Sequence, residues 1–294
     1  MTPLHRHDLI RPDAMIRYWT GGPVKAPIIV LLHGATLDHR AWAPQVEALR
    51  DRFRVVVPDL RAHGRSTGGF DFDAAVADVL ALLDRLPAGR VVLVGLSLGG
   101  NLAQEVVRRA PDRVHALVVA DATCNTATRH PLAASMTVAA LTSHAMLPGD
   151  HFAQYAAHTI ATDPQVQRYA LETNTQRSNR ETVRILTSLL TDALRPEPDY
   201  RLPVPALLVH GQLDQIGDIA FSTLAWAQRE PLAEYAVIPA AGHASNLDNP
   251  AAFTAALEAF LDRVLPLVNV GEEPSRQECD AEPSRPDELD SGTG

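Results

Sequence analysis

Arg90-Val91-Val92-Leu93-Val94-Gly95-Leu96-Ser97-Leu98-Gly99-Gly100 is the stretch on which the reading of this chain turns. Its first half is β-branched and apolar on both faces, the pattern of a strand buried in a parallel sheet. Leu98 to Ala110 carries apolar residues at helical spacing. Between strand and helix, Gly95-Leu96-Ser97-Leu98-Gly99 fits the G-x-S-x-G pattern of a sharp strand-to-helix turn. Such a turn holds its serine in a strained backbone conformation. Side chains two positions to either side would collide, so glycine is required there. The hydroxyl is exposed at the C-terminal end of the sheet, beside a helix N-terminus whose free N–H groups favour developing negative charge. A glycine-rich turn with a capping serine would have the same letters, but the flanking strand and helix favour the chemical reading.

The pattern repeats outward from this turn. Ala26–Leu32 is an apolar run ending at His33-Gly34, Arg54–Val57 stops at Pro58-Asp59, and Val114–Ala120 stops at Asp121. Pro205–Val209 ends at His210-Gly211, and Tyr235–Ile238 is a further strand. Helical patterns lie at Trp42–Arg50, Phe72–Leu86 and Pro250–Val264. Alternation of this kind implies right-handed crossovers and an α/β fold with a mostly parallel central sheet flanked by helices. From about Thr123 to Pro203 there is no β-branched run, only helical stretches such as Leu132–Met146, His151–Ile160 and Arg180–Leu194. The expected organisation is therefore a core made of residues 1–122 and 204–265, a helical cap insertion at 123–203, and an acidic tail at 266–294. The tail is too poor in apolar residues to offset its ordering entropy and is expected to be disordered.

A serine hydroxyl needs an adjacent base to act as a nucleophile. Of the 12 histidines, His243 lies in the loop between the last strand and the last helix, which returns to the C-terminal edge of the sheet. Its imidazole needs a carboxylate to fix the tautomer. Asp214, after the penultimate strand, is the first choice, with Asp218 and Asp121 as alternatives. A developing oxyanion needs backbone N–H donors. Leu98, after the serine, supplies one. The second is expected from the turn after the early strand, at Ala35 first and Thr36 second, with His33 shaping that turn through a local hydrogen bond.

Four motifs in this order carry a family resemblance: His33-Gly34-Ala35, Pro58-Asp59-Leu60-Arg61-Ala62-His63-Gly64-Arg65-Ser66, Gly95-Leu96-Ser97-Leu98-Gly99-Gly100, and Ala241-Gly242-His243 followed by Asn246-Leu247-Asp248-Asn249-Pro250. From about residue 15 to 265 the chain resembles the α/β-hydrolase superfamily, and within it the small microbial esterase, enol-lactonase and perhydrolase-like branch. The resemblance implies the fold, a Ser97–Asp214–His243 triad, no cofactor, and an acyl-enzyme on Ser97 formed from a small or medium carboxylic ester or lactone. The Asp59–Ser66 stretch resembles a loop that is structural in the family, with Ala62 where glycine is usual. Serine at the elbow sets the chain apart from dehalogenases and epoxide hydrolases of this fold, which carry aspartate there. Perhydrolase-type members often have an aromatic residue where Ala35 stands. Carbon–carbon bond hydrolases acting on diketone-like substrates share the triad and remain an alternative. A small-molecule receptor of the same fold is the non-enzymatic one.

Composition limits the other classes. With 46% hydrophobic and 21% charged residues, the chain has the balance of an ordinary globular protein. Of its net charge of −9, the segment 266–294 holds −6, from eight acids and two arginines. Nothing forms the basic stripe that nucleic acid requires. Residues 1–20 contain no apolar stretch of signal-peptide length, and no segment has the roughly 18 apolar residues of a membrane span. A cytoplasmic enzyme without membrane or nucleic-acid partners is expected. The two cysteines, Cys124 and Cys279, are too far apart to suggest a disulfide framework or metal knuckle. His144, His151 and His158 are seven apart, but Pro148-Gly149 breaks any shared helical face, so no metal is expected. The arginines of the insertion (Arg129, Arg168, Arg177, Arg180, Arg184) read as a solvated face, or as a partner for an acidic substrate group.

Overall fold

A strand buried on both faces must be apolar at every position. This holds for β3 (Ile28–Leu32) and β5 (Val91–Leu96), each buried throughout. The computed structural model describes residues 4–128 and 151–265, with isolated positions 139, 142 and 143 between them. Among the described residues eight strands form one sheet. The others are β1 (His5–Ile10), β2 (Met15–Gly21), β4 (Arg54–Pro58), β6 (Val114–Ala120), β7 (Ala206–Gly211) and β8 (Ala233–Ile238). Their order is β1-β2-β4-β3-β5-β6-β7-β8. β3 to β8 run parallel, and β2 is antiparallel to both β1 and β4.

The β1–β2 hairpin has no counterpart in the expectations above. β1 is exposed at five of its six positions, and His5-Arg6-His7-Asp8 carries no apolar run. An edge hairpin facing water has no need of one. Its signal lay in the turn at Arg11-Pro12-Asp13-Ala14, closed by the Arg11 N–H donating to the Ala14 carbonyl at 2.8 Å.

Alternate residues of the strands point to opposite faces and are covered by different helices. Val30, Leu93, Leu117 and Leu208 pack with α2 (Phe72–Arg85) and α3 (Leu98–Arg109). Ile29, Val92, Val118 and Val209 pack with α1 (Ala43–Leu49) and with the C-terminal helix at Pro250–Val264. Between β6 and β7 lie α4 (His151–Ile160), α5 (Pro164–Asn174) and α6 (Asn179–Asp192). α5 was missed in the sequence because few of its positions are apolar, although Asp163 caps it and Pro164 sits at its first turn. α7 (Ile219–Arg229), the β7–β8 crossover, was missed as well; α8 (Ser245–Asp248) and α9 (Pro250–Val264) complete the described helices. The helix expected at Leu132–Met146 and the tail at 266–294 lie outside the described residues. Among the described residues no helix is long and apolar enough to cross a membrane.

The chain reverses its direction of progress across the sheet between β3 and β5, which are neighbours. Open α/β sheets place ligands beyond the carboxyl ends of strands at such a point. The turns that follow β3, β5, β6, β7 and β8 bring Ala35, Ser97, Asp121, Asp214 and His243 to that one edge.

Candidate active site

Ser97 follows β5 with φ 50° and ψ −116°, a left-handed-side conformation that a side-chain-bearing residue adopts only when its surroundings enforce it. Its neighbours supply the enforcement. A Cβ on Gly95 would lie 2.3 Å from the carbonyl of Gly99, and one on Gly99 would lie 2.1 Å from the Leu32 carbonyl oxygen. Both glycines are thus fixed by backbone approach. The Ser97 N–H donates to the Ala120 carbonyl at 2.8 Å, which ties the turn to the end of β6.

The histidine and carboxylate chosen from the sequence meet this serine. His243 Nε2 lies 2.9 Å from Ser97 Oγ, and His243 Nδ1 lies 2.9 Å from Asp214 Oδ2. The carboxylate can only accept, so Nδ1 carries the proton and donates to it. Nε2 is then free to accept from the serine hydroxyl. Asp214 is itself oriented by the Ile216 N–H, which donates to Oδ1 at 2.8 Å. Burial of His243 disfavours the imidazolium, but the hydrogen bond and charge of Asp214, with the charge of Asp121, outweigh it and hold the pKa above the ordinary imidazole value.

The two alternative acids fall elsewhere. Asp218 stands at the N-terminal boundary of α7. Asp121 is buried beside the histidine loop, and its hydrogen bonds go to Gly211 and Ser245. It accepts from the Gly211 N–H at 2.7 Å and from Ser245 Oγ at 2.5 Å. Burial pushes its pKa up to about 7, against the opposing charge of His243. It spans the start of the Asp214 loop and the end of the His243 loop.

The turn after β3 is built around His33. Its Nδ1–H donates to the Gly34 carbonyl at 2.8 Å, and its Nε2 accepts from the Leu60 N–H at 3.0 Å. Both ring nitrogens are used locally, and burial lowers its pKa, so it is held neutral. The Gly34 carbonyl also accepts from the Leu37 N–H at 3.3 Å, closing a four-residue turn with Thr36 at its third position and φ 65°. A trans peptide points its N–H opposite to its C=O. Fixing the Gly34 carbonyl toward His33 therefore turns the Ala35 N–H the other way. Ala35 and Ser97 both line the cavity described next.

That cavity has a volume of about 310 Å³. Its floor is the serine, the histidine and the Gly34–Leu37 turn. α4 presents Phe152, Ala156 and Ile160, and α6 presents Leu186, Leu189 and Leu190. The spacings i, i+4, i+8 and i, i+3, i+4 place each set on one helical face. Ile216, from the Asp214 loop, completes an apolar wall. The helices are bonded to the site. Asp248 accepts from the N–H groups of Thr162 at 2.8 Å, Asp163 at 3.0 Å and Gly242 at 2.8 Å, and the Ala244 N–H donates to the Ile160 carbonyl at 2.6 Å. Sequence reasoning had noted Asp248 only as part of a motif. Its role as the joint between the α4–α5 turn and the His243 loop depends on contacts 86 residues apart.

Other clusters are spoken for. Asp38, His39 and Asp59 bring three possible metal-ligand atoms within 4.8 Å of one another. Asp38, however, accepts from Arg40 and from the Tyr169 hydroxyl, while Asp59 accepts from His39 and from the Arg65 N–H. Arg129 and His144 lie outside the described residues. In the Asp59–Ser66 loop, Gly64 has φ 50° and a Cβ there would lie 2.4 Å from the Asp59 carboxylate. Ala62, where glycine is usual, takes φ 62°. Ser66 Oγ donates to the Asp59 carbonyl at 2.6 Å, and Arg61 pairs with buried Asp78, so these groups serve the architecture of the loop.

Residues 27–250 match the family model for the alpha/beta hydrolase fold. Over 273 residues the chain is 26% identical to 3-oxoadipate enol-lactonase 2 of Acinetobacter baylyi, covering 87% of this chain and 96% of the relative. It is 30% identical over 250 residues to a pimeloyl-[acyl-carrier protein] methyl ester esterase of Nitrosomonas europaea, covering 80% and 95%. Among solved structures, a thermophilic esterase from Thermogutta terrifontis superposes with a TM-score of 0.76 at 26% identity, over 88% of this chain and 99% of that one.

Proposed function

This chain belongs to the α/β hydrolase fold family, and from that premise we propose that it is a serine hydrolase cleaving an uncharged, small or medium carboxylic ester or lactone through an acyl-enzyme on Ser97. The observation that carries the proposal is the unbroken hydrogen-bond chain from Ser97 Oγ through His243 to Asp214, with both links at 2.9 Å. Ser97 Oγ attacks the substrate carbonyl carbon while His243 Nε2 takes its proton, and Asp214 stabilises the imidazolium. The carbonyl electron pair moves onto oxygen, which the N–H groups of Leu98 and Ala35 hold. One such donor is worth roughly 10²–10³-fold in rate. Collapse of the intermediate expels the alcohol oxygen, which leaves with the proton from His243. Water then repeats the sequence against the acyl-enzyme, with His243 again as base, and the carboxylic acid departs.

The wall of leucine, isoleucine and phenylalanine supports an uncharged acyl or alkyl group as the part of the substrate it encloses. A free carboxylate placed against it would lose its hydration without replacement. Both named relatives are hydrolases of carboxylic esters, a lactone being a cyclic ester. In this reading the helices within 123–203 serve as a cap that supplies the substrate wall.

The test is intact mass after treatment with an alkyl fluorophosphonate, with Ser97→Ala as control, followed by turnover of p-nitrophenyl esters graded by acyl length. Stoichiometric labelling of the parent, none of the variant, and turnover abolished in the variant are expected. Labelling at another residue, or full hydrolysis by Ser97→Ala, would falsify the proposal. Faster turnover of a vinylogous diketone than of any ester would move the chain to carbon–carbon bond hydrolysis on the same triad.

A further inference from the structure

Arg177 lies in the turn between α5 and α6, yet its guanidinium is directed at the loops on the floor of the site. Nη1 donates to the Thr36 carbonyl at 3.0 Å and Nη2 to the Ala62 carbonyl at 3.4 Å. Both accepting residues sit in the left-handed region, Thr36 at φ 65° and Ala62 at φ 62°. That region is disfavoured for any residue bearing a Cβ, and for a β-branched residue such as Thr36 it is a genuine outlier. One side chain thus binds two strained positions that are 26 residues apart in sequence.

The guanidinium is spent on carbonyls alone. Among the described residues none of the nearby carboxylates, Glu181, Asp38 and Asp59, forms an ion pair with it, although their charges act on it. A half-buried cation ordinarily pairs with an acid. Here the two terminal nitrogens of the planar fork bridge the Thr36 and Ala62 carbonyls, with Nη1 also 3.5 Å from the Thr173 carbonyl, a geometry that lysine does not reproduce.

The position of Thr36 gives this bridge its consequence. Thr36 is the third residue of the turn Gly34–Leu37, which carries the Ala35 N–H read above as an oxyanion donor, and Ala35 and Ser97 line the same cavity. If Thr36 relaxes to negative φ, the turn changes shape and the Leu37 N–H that helps hold the Gly34 carbonyl at 3.3 Å is displaced, so the Gly34–Ala35 peptide, which carries the Ala35 N–H, loses one of the two bonds that fix it. The same arginine is anchored in the segment that carries α5 and α6, which brings Leu186, Leu189 and Leu190 over the serine.

We propose that Arg177 is a positioning residue: it holds the oxyanion-binding turn in its left-handed form and couples that turn to the docking of the helices over the cavity. The inference rests on the serine hydrolase reading above. Arg177 does not itself line the cavity and reaches it only through the Thr36 carbonyl, so its loss acts on the transition state far more than on substrate binding.

The experiment compares the parent with Arg177→Met, Arg177→Lys, Thr36→Gly and the Thr36→Gly/Arg177→Met double variant. Each is first checked for a cooperative thermal unfolding transition. Readouts are kcat and KM for p-nitrophenyl butyrate, and inhibition constants for 1,1,1-trifluorooctan-2-one and octan-2-one. The trifluoroketone adds the serine to form an oxyanion; the plain ketone probes the cavity without it. Arg177→Met should lower kcat by roughly 10–100-fold with KM within about twofold, the loss of a charge-assisted hydrogen bond. It should raise the trifluoroketone constant by the same factor and leave that of octan-2-one unchanged. Arg177→Lys, which keeps the charge on a single nitrogen without the planar fork, should fall between parent and Arg177→Met. Glycine adopts the left-handed form unaided, so in the Thr36→Gly background the Arg177→Met loss should shrink several-fold. A folded Arg177→Met with parental kcat, equal changes for both ketones, or an undiminished loss in the glycine background each overturns the inference. If Arg177→Met does not fold, Arg177→Lys with parental kcat and trifluoroketone affinity overturns it equally. A parent that takes no fluorophosphonate sinks the hydrolase reading and this inference with it.

Discussion

Adding one methyl group at Gly99 tests the physical account of the elbow more sharply than removing the serine does. The new Cβ would lie 2.1 Å from the Leu32 carbonyl oxygen, 2.6 Å from the Leu32 carbonyl carbon and 2.8 Å from the His33 carbonyl oxygen. Unstrained carbon and carbonyl oxygen stand about 3.3 Å apart, so the elbow and β3 must separate by roughly 1 Å. Neither side can move freely. β3 is buried at every position, and Leu32 is paired with Gly95 in the same ladder that leads into the elbow. Overpacking against a rigid neighbour costs about 1–3 kcal/mol, which for a domain of this size lowers the apparent unfolding temperature by roughly 2–12 °C. A displacement of roughly 1 Å at the serine should slow its chemistry by about 10²-fold. Gly69 and Gly89, whose added Cβ would meet nothing within 4 Å, are the controls. The assay is thermal unfolding at a fixed scan rate together with the second-order rate of fluorophosphonate labelling. Gly99→Ala should fall on both measures while Gly69→Ala and Gly89→Ala match the parent. A Gly99→Ala variant with the unfolding temperature and labelling rate of the parent would refute the reasoning that backbone approach fixes the elbow.

The pH dependence of kcat/KM follows from the histidine. His243 must be neutral to accept the serine proton, and its pKa is held above the ordinary imidazole value, so activity should rise with pH through a limb above about 6.5. Asp214→Asn removes the hydrogen bond and the charge that raise it. The limb should move to lower pH while kcat falls by roughly 10³–10⁴-fold, both read from the same pH–rate series; a limb that stays in place speaks against Asp214 as the partner. In the Asp59–Ser66 loop, Arg61 Nε and Asp78 Oδ2 lie 2.7 Å apart with both side chains almost wholly buried. Arg61→Met leaves Asp78 with Arg11 as its remaining cation, at 2.9 Å, and should cost about 3–5 kcal/mol in guanidinium chloride unfolding. A loss below about 1 kcal/mol would mean that the pair contributes no more than a surface bridge does.

Much of the fold was legible because burial on both faces leaves a local mark. Strands such as Val91–Leu96 and Ile28–Leu32 are apolar throughout, and their turns carry glycine, proline or aspartate. The hairpin at residues 5–21 and the helix at Pro164–Asn174 were not read. Elements that face water on one side, or that are held mainly by their caps and neighbours, need few apolar residues and leave a fainter pattern.

At the site, the chain by itself determined which residue types were available and in what order. Gly95, Ser97 and Gly99 come from strand, turn and helix within a dozen residues, and His243 and Asp214 follow from their places after the last strands. The sequence put Asp214 first, with Asp218 and Asp121 as alternatives. Where each carboxylate points appears only in the tertiary structure, because the direction of a buried carboxylate depends on which N–H groups surround it. Asp214 faces the imidazole, while Asp121 is drawn to Gly211 and Ser245. The same holds for Asp248, for the apolar wall contributed by α4 and α6, and for Arg177. Each acts through partners far away in sequence, and no local pattern of residue types encodes a contact that exists only once the chain has packed.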